Sequence, residues 1–137
     1  MQDGYELVEE VPSVETYRAL RVAAGMTPKS EQAATAGLPN TLFGVVVKHE
    51  GRTIGMGRIF GDGGCFYVVS DMAVEPAHQR RGVGKAIFAR LVQWLHANVP
   101  VGAHITLFAD GEAHRLYAQF GFLPTAPDSI GMELRIR

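Results

Sequence analysis

The chain has 137 residues, the length of about one domain. Apolar residues make up 47% and charged residues 20%, which suits a globular chain that buries a core without staples. Thirteen basic against fourteen acidic side chains leave a net charge of −1, too little positive excess for a general nucleic-acid partner. Tyr5 to Val11 alternates weakly and predicts a short first strand. Ser13 can cap a helix in which Val14, Tyr17, Leu20 and Ala24 share one face. Residues 25–41 are rich in Gly, Pro, Ser and Thr, with a short helix expected near Ser30 to Ala36. Leu42–Lys48, Thr53–Phe60 and Cys65–Val74 then read as an antiparallel meander joined by two glycine-containing turns.

From Val83 the period changes. Ile87, Leu91, Trp94 and Leu95 follow at helical spacing, and the helix stops before Pro100. Ala103–Ala109 reads as a strand. Ala113, Leu116, Tyr117 and Phe120 make a second helical stripe that Gly121 ends. Ile130–Arg137 alternates and is expected to close the sheet. Antiparallel strands followed by strand, helix, strand and helix indicate an α+β fold with a mixed sheet.

The single cysteine, Cys65, allows no internal disulfide and is expected to pack. The five histidines show no zinc-type spacing, so no metal is expected. The first residues lack the basic and apolar regions of a signal peptide, and no apolar stretch nears the roughly 18 residues of a membrane span. The expectation is a cytoplasmic protein with no membrane partner.

Chemistry concentrates in Asp71-Met72-Ala73-Val74-Glu75-Pro76-Ala77-His78-Gln79-Arg80-Arg81-Gly82-Val83-Gly84-Lys85. A strand ends at Val74, Pro76 forbids its continuation, and a basic, glycine-containing loop runs straight into a helix. Backbone N–H groups at a helix start lack partners within the helix, and the helix dipole adds positive potential there. Gly82 and Gly84 remove side chains that would block close approach. Arg80, Arg81 and Lys85 add formal charge. A pyrophosphate is the natural occupant of such a site. The spacing fits neither the G-x-x-x-x-G-K-[ST] loop nor the G-x-G-x-x-G fingerprint. A capped helix with a solvated basic start remains the alternative reading of the loop alone.

Gln79-Arg80-Arg81-Gly82-Val83-Gly84 resembles the Q/R-x-x-G-x-G/A signature of the Gcn5-related N-acetyltransferase (GNAT) superfamily. Val74-Glu75-Pro76 resembles the element that precedes that loop in the family, and Leu116-Tyr117-Ala118-Gln119-Phe120-Gly121-Phe122 resembles its "LYxxxGF" segment. Leu107-Phe108-Ala109-Asp110 and Gly131-Met132 are similar to the bacterial and plastid branch that includes plant serotonin N-acetyltransferases. The resemblance implies one domain over residues 1–137. Its fold would be a mixed, mostly antiparallel sheet of six to seven strands, flanked by about four helices, with a splayed central strand pair.

The implied activity is acetyl transfer from acetyl-CoA to a primary amine by direct attack, through a tetrahedral intermediate. A small-molecule amine is the first choice of acceptor. A protein lysine or N-terminus is the alternative, and a non-catalytic acetyl-CoA sensor is a third. A homodimer is also implied. Met72, Ala73, Val74, Gln79, Arg80, Arg81, Gly82, Val83, Gly84, Lys85, Asp110 and Tyr117 would then contact the cofactor, with the Met72 and Val74 N–H groups facing the carbonyl oxygen. Tyr117 would be the general acid, since a phenol near pKa 10 can protonate a thiolate whose acid lies near 8.5. It also sits on an apolar stripe, where packing alone would explain it. Asp71 is the first candidate for general base and Glu75 the second. Asp110 stands where the family often has Asn, and an ionised carboxylate accepts but does not donate.

Overall fold

A computed structural model describes all residues, 1–137. The chain divides into two compact units, Met1–Leu107 and Phe108–Arg137. The first unit holds a five-stranded sheet in the order β1 (Tyr5–Val8), β2 (Phe43–His49), β3 (Arg52–Gly61), β4 (Phe66–Val74) and β5 (His104–Thr106). Strands β1 to β4 are antiparallel, and β5 runs parallel to β4. A parallel neighbour needs a crossover, and α3 (Val83–Asn98) supplies it.

On one face lie α1 (Val14–Ala23) and α2 (Glu31–Gly37). Ser13 Oγ accepts from the Thr16 N–H at 3.1 Å, and Ser30 Oγ accepts from the Ala33 N–H at 3.1 Å. Each satisfies one orphan donor of a first turn, so the serines set where these helices begin. Tyr17, Leu20, Ala34, Leu38, Val46, Met56 and Ala73 form the core on this side.

Helix α3 covers the other face. Its stripe Val83, Ile87, Phe88, Leu91 and Leu95 is buried, and each such side chain contributes about 1.5–3 kcal/mol relative to exposure. Gly57 of β3 lets α3 approach closely, because a Cβ there would come within 2.8 Å of Ile87 Cγ2 and 3.0 Å of Leu91 Cδ1. No side chain caps the start of α3. A missing cap costs about 1 kcal/mol, which the packed stripe outweighs, so its first N–H groups can stay uncommitted.

The second unit contains α4 (His114–Ala118). Gly121 follows in the left-handed region (φ 92°). Its N–H donates to Ala118 O at 3.1 Å, and the Phe122 N–H donates to Tyr117 O at 3.3 Å. These two bonds form the glycine-terminated helix end that the sequence implies.

Several expectations change. The sheet has five strands rather than six or seven, and residues 130–137 form no strand, although Ile130, Met132, Leu134 and Ile136 alternate. All four are exposed. Alternation states which face a strand could bury, while a strand also requires a neighbouring edge to bond. Strand β1 stops at Val8 rather than Val11, and β5 is confined to His104–Thr106. Cys65 is exposed rather than packed. Its N–H, with those of Gly64 and Phe66, donates to Asp62 Oδ1 at 2.8–3.1 Å, so it belongs to a carboxylate-centred turn. Those amide donors hold the Asp62 carboxyl below its usual pKa. No helix is long and apolar enough to cross a membrane.

Candidate active site

The first unit brings the predicted residues of β4 and the following loop together around a defect in the sheet. Met56 pairs with Ala73, and Arg58 pairs with Ser70, so Gly57 alone opposes both Asp71 and Met72. This is a β-bulge. Asp71 takes up the extra length with φ 61°, a left-handed conformation in which aspartate is enriched.

The bulge reassigns both side chains and amides. Met72 turns toward α3, where its Sδ would lie 2.7 Å from a Cβ on Gly57. Asp71 turns toward α1. Beyond the bulge, the Glu75 N–H donates to Ile54 O of β3 at 2.9 Å. Donors alternate between the two edges of a strand, so the N–H groups of Met72 and Val74 point away from β3. The edge they face is open, because β5 pairs only with Phe66–Val68. Pairing between β4 and the edge strand β5 stops at Val68 and Thr106, and two amide donors of β4 face the unpaired edge beyond.

The loop begins on the same edge. Gln79 Nε2 donates to Val74 O at 3.0 Å, tying the loop to the strand end. A short 3-10 turn over Pro76–His78 precedes it. Arg80 (φ 62°) and Gly82 (φ 81°) are both left-handed, which curls successive amides into a concave nest. The first bond of α3 runs from the Ala86 N–H to Gly82 O at 3.0 Å. The N–H groups of Val83, Gly84 and Lys85 therefore precede the helical ladder and have no side-chain cap. Arg80, Arg81 and Lys85 are exposed and form no ion pair within the chain.

The two loop glycines differ in kind. Gly82 is required by its own backbone, because φ 81° strains any residue with a Cβ. Gly84 is not: it is helical, and an added Cβ would meet only Val74 Cγ2, at 3.9 Å. The fold tolerates a side chain at Gly84, so its absence leaves the ground before the helix start clear. These donors, charges and clearances fit a pyrophosphate.

Asp71 lies at the centre of a buried polar network. Tyr17 Oη and Arg21 Nη1 donate to its Oδ1 at 2.9 and 2.7 Å, and Arg58 Nε donates to its Oδ2 at 2.6 Å. Burial, then the Asp71 charge and hydrogen bond, push the Tyr17 hydroxyl above its usual pKa. Glu75 stands apart from this network. Arg52 binds both of its oxygens, Nη1 with Oε1 and Nη2 with Oε2 at 2.9 Å, and holds its carboxyl below the usual pKa. Sequence reasoning missed Tyr17, Arg21 and Arg58. Their one legible trace is that arginines occupy otherwise apolar elements.

In the second unit Tyr117 is buried on α4. Burial, and then the Asp110 charge, raise its pKa. Asp110 is exposed, and its carbonyl accepts from the Ala113 N–H at 3.0 Å, starting the turn before α4. No three His, Cys, Asp or Glu side chains gather as a metal group.

Comparison with known proteins decides the family. The acetyltransferase (GNAT) domain model matches residues 40–124, more than half of the chain. The chain belongs to the GNAT acetyltransferase family. Its fold superposes with a TM-score of 0.92 and 39% identity on a crystal structure from meticillin-resistant Staphylococcus aureus, over 96% of this chain and 99% of that one. That protein is of unknown function and described as a probable acetyltransferase. Two plant relatives are also similar. Histone acetyltransferase TAP1 of Glycine max is 37% identical over 52% of this chain and 30% of its own length. The chloroplastic GCN5-related N-acetyltransferase 2 of Arabidopsis thaliana is 35% identical over 55% of this chain and 28% of its own length. The match thus spans under a third of these two relatives.

Proposed function

We propose that this GNAT chain is a single-domain, acetyl-CoA-dependent N-acetyltransferase, residues 1–137, acting in the cytoplasm on a small primary amine. The observation that carries the reading is the junction of an open, bulged strand end with an uncapped helix start. The loop amides from Val83 to Lys85, with Arg80, Arg81 and Lys85, would hold the pyrophosphate of acetyl-CoA. Its acetyl carbonyl would then lie in the β4 gap, with the Met72 and Val74 N–H groups stabilising negative charge on oxygen. One such donor is worth roughly 10²–10³ in rate.

Within this proposal Tyr117 is the general acid. Its raised pKa keeps the phenol protonated at neutral pH, available for the departing thiolate. Tyr117→Phe is expected to lower turnover by roughly 10²–10⁴ with little change in acetyl-CoA affinity; near-normal turnover removes Tyr117 from the mechanism. Asp71 is assigned a positioning part, because its oxygens already accept from Tyr17, Arg21 and Arg58. Water then carries the proton released by the amine. A homodimer is also proposed, supported by the exposed, alternating Ile130, Met132, Leu134 and Ile136; a monomer mass by light scattering would remove it.

Gly84→Val tests the reading. An added Cβ there stands 3.9 Å from Val74 Cγ2, and a melting curve checks that the variant stays folded. Acetyl-CoA affinity should fall by roughly a hundredfold, as expected when close backbone contact with a pyrophosphate is blocked. Unchanged affinity in a folded variant rejects the site.

A further inference from the structure

The face of the sheet opposite α3 carries a cavity of about 210 Å³ between α1, α2 and β3. Ala33, Ala34 and Gly37 leave its α2 wall low, and Tyr17, Lys29 and Arg58 supply its polar lining. The volume is below the roughly 300–1,000 Å³ of sites for drug-sized ligands, so it suits one small group on a short stem.

Its charge is lopsided. No carboxylate lines it, and Asp71, the partner of its Arg58 and Tyr17, also accepts from Arg21. Arg58 gives Nε to Asp71 and Nη1 to Thr41 Oγ1 at 3.1 Å. Its Nη2 makes no hydrogen bond within the chain. No buried side-chain polar atom lacks a partner, so Nη2 must reach solvent, and Arg58 meets solvent at the cavity. Guanidinium donors in this state match a carboxylate or phosphate. Lys29 forms no ion pair, yet its segment is held. Arg18 Nε donates to Lys29 O at 2.9 Å, and Arg21 grips Thr27 through Nε to O at 2.9 Å and Nη2 to Oγ1 at 3.0 Å. Arg21, which also binds Asp71, and Arg18 thus fix the segment carrying Lys29.

Resting on the acetyltransferase reading above, we infer that the acceptor amine also carries an anionic group, a carboxylate or a phosphate, which Arg58 and Lys29 hold in this cavity. Asp71, bonded to Arg58, is the chain neighbour of Met72, whose N–H faces the gap. The nucleotide loop leads into α3 on the opposite face. An acceptor held by its anion on the α1–α2 face therefore approaches the gap from the side away from α3. An amine bearing a second positive charge would meet Lys29, which has no ion pair, and an arginine that shares its one carboxylate with Arg21.

The experiment measures kcat/KM with acetyl-CoA for matched acceptors, each at equal free-base concentration. The carboxylate arm compares alanine with alaninamide, and the phosphate arm compares phosphoethanolamine with ethanolamine. One anionic member should exceed its neutral partner by roughly tenfold or more, and Lys29→Glu should raise its KM by roughly tenfold while acetyl-CoA affinity holds. Equal or reversed preference, or a preference that survives Lys29→Glu, overturns the inference while leaving the acetyltransferase reading intact. If acetyl-CoA binds but no probe is acetylated, inorganic phosphate and acetate are titrated into labelled protein. Shifts of the Arg58 Nε–H and Lys29 signals that Lys29→Glu weakens then support the site, and their absence overturns it. Failure to bind acetyl-CoA in a calorimeter removes the underlying reading first, and this inference with it.

Discussion

Asp71 and Met72 are neighbours in the chain and lie on opposite faces of the sheet. Met72 joins an apolar seam with Ile87 and Leu91, where Gly57 lets α3 come close. Asp71 joins two arginines and a tyrosine beneath α1. One inserted residue separates these environments, and the same insertion turns the Met72 and Val74 amides toward the open edge of β4. The difference teaches that the bulge does more than bend a strand. It allows an ionic face, an apolar face and a pair of free donors to occupy the four residues from Asp71 to Val74.

The ionic side should respond most strongly. Asp71→Ala leaves the buried Arg21 guanidinium and the largely buried Arg58 guanidinium without their carboxylate, and loss of one partner of such a network costs about 3–5 kcal/mol. Urea unfolding checks this; a loss near zero would mean that water replaces Asp71 at no cost and that the faces are alike. On the apolar side, Gly57→Ala inserts a methyl 2.7 Å from Met72 Sδ and 2.8 Å from Ile87 Cγ2. Overpacking of this kind costs about 1–3 kcal/mol, and the amides of Met72 and Val74 should shift in the same variant. A Gly57→Ala protein as stable as the parent would show that α3 is not seated as closely as the contacts state.

The smallest effect lies just outside the bulge, at the exposed end of the pair between Glu75 and Arg52. The Glu75 pKa is lowered in the folded chain, chiefly by its hydrogen bonds to Arg52. Its contribution is therefore present above the unfolded value, about 4.3, and is lost as pH falls through the folded value. Melting curves from about pH 6 down to about pH 3 should show a slightly shallower acid slope in Glu75→Gln. An unchanged slope would leave the pair without influence.

Much of the architecture was legible because it rests on local signals. Ser13 and Ser30 announce α1 and α2, the stripe from Val83 announces α3, and Gly121 ends α4. The loop that opens α3 was legible for the same reason, since strand end, proline, glycines and helix start are contiguous. What stayed hidden is nonlocal. Arg21 and Asp71 are 50 residues apart, and Arg58 and Asp71 are 13 apart; neither spacing carries a period. The bulge hides because Asp71-Met72-Ala73 reads as ordinary alternation broken by one residue. The tail misled in the opposite sense: Ile130 to Ile136 has the pattern of a strand, but pairing depends on an edge that the tail's own residues do not specify.

The central claim is that the bulge aims two amides at an acetyl carbonyl while the helix start holds a diphosphate. An amide-resolved NMR titration separates the two parts, using acetyl-CoA in one series and coenzyme A without its acetyl group in the other. The account predicts that the Val83, Gly84 and Lys85 amides move in both series, while Met72 and Val74 move downfield only when the acetyl group is present. Met72 and Val74 signals that stay still with acetyl-CoA bound would contradict it.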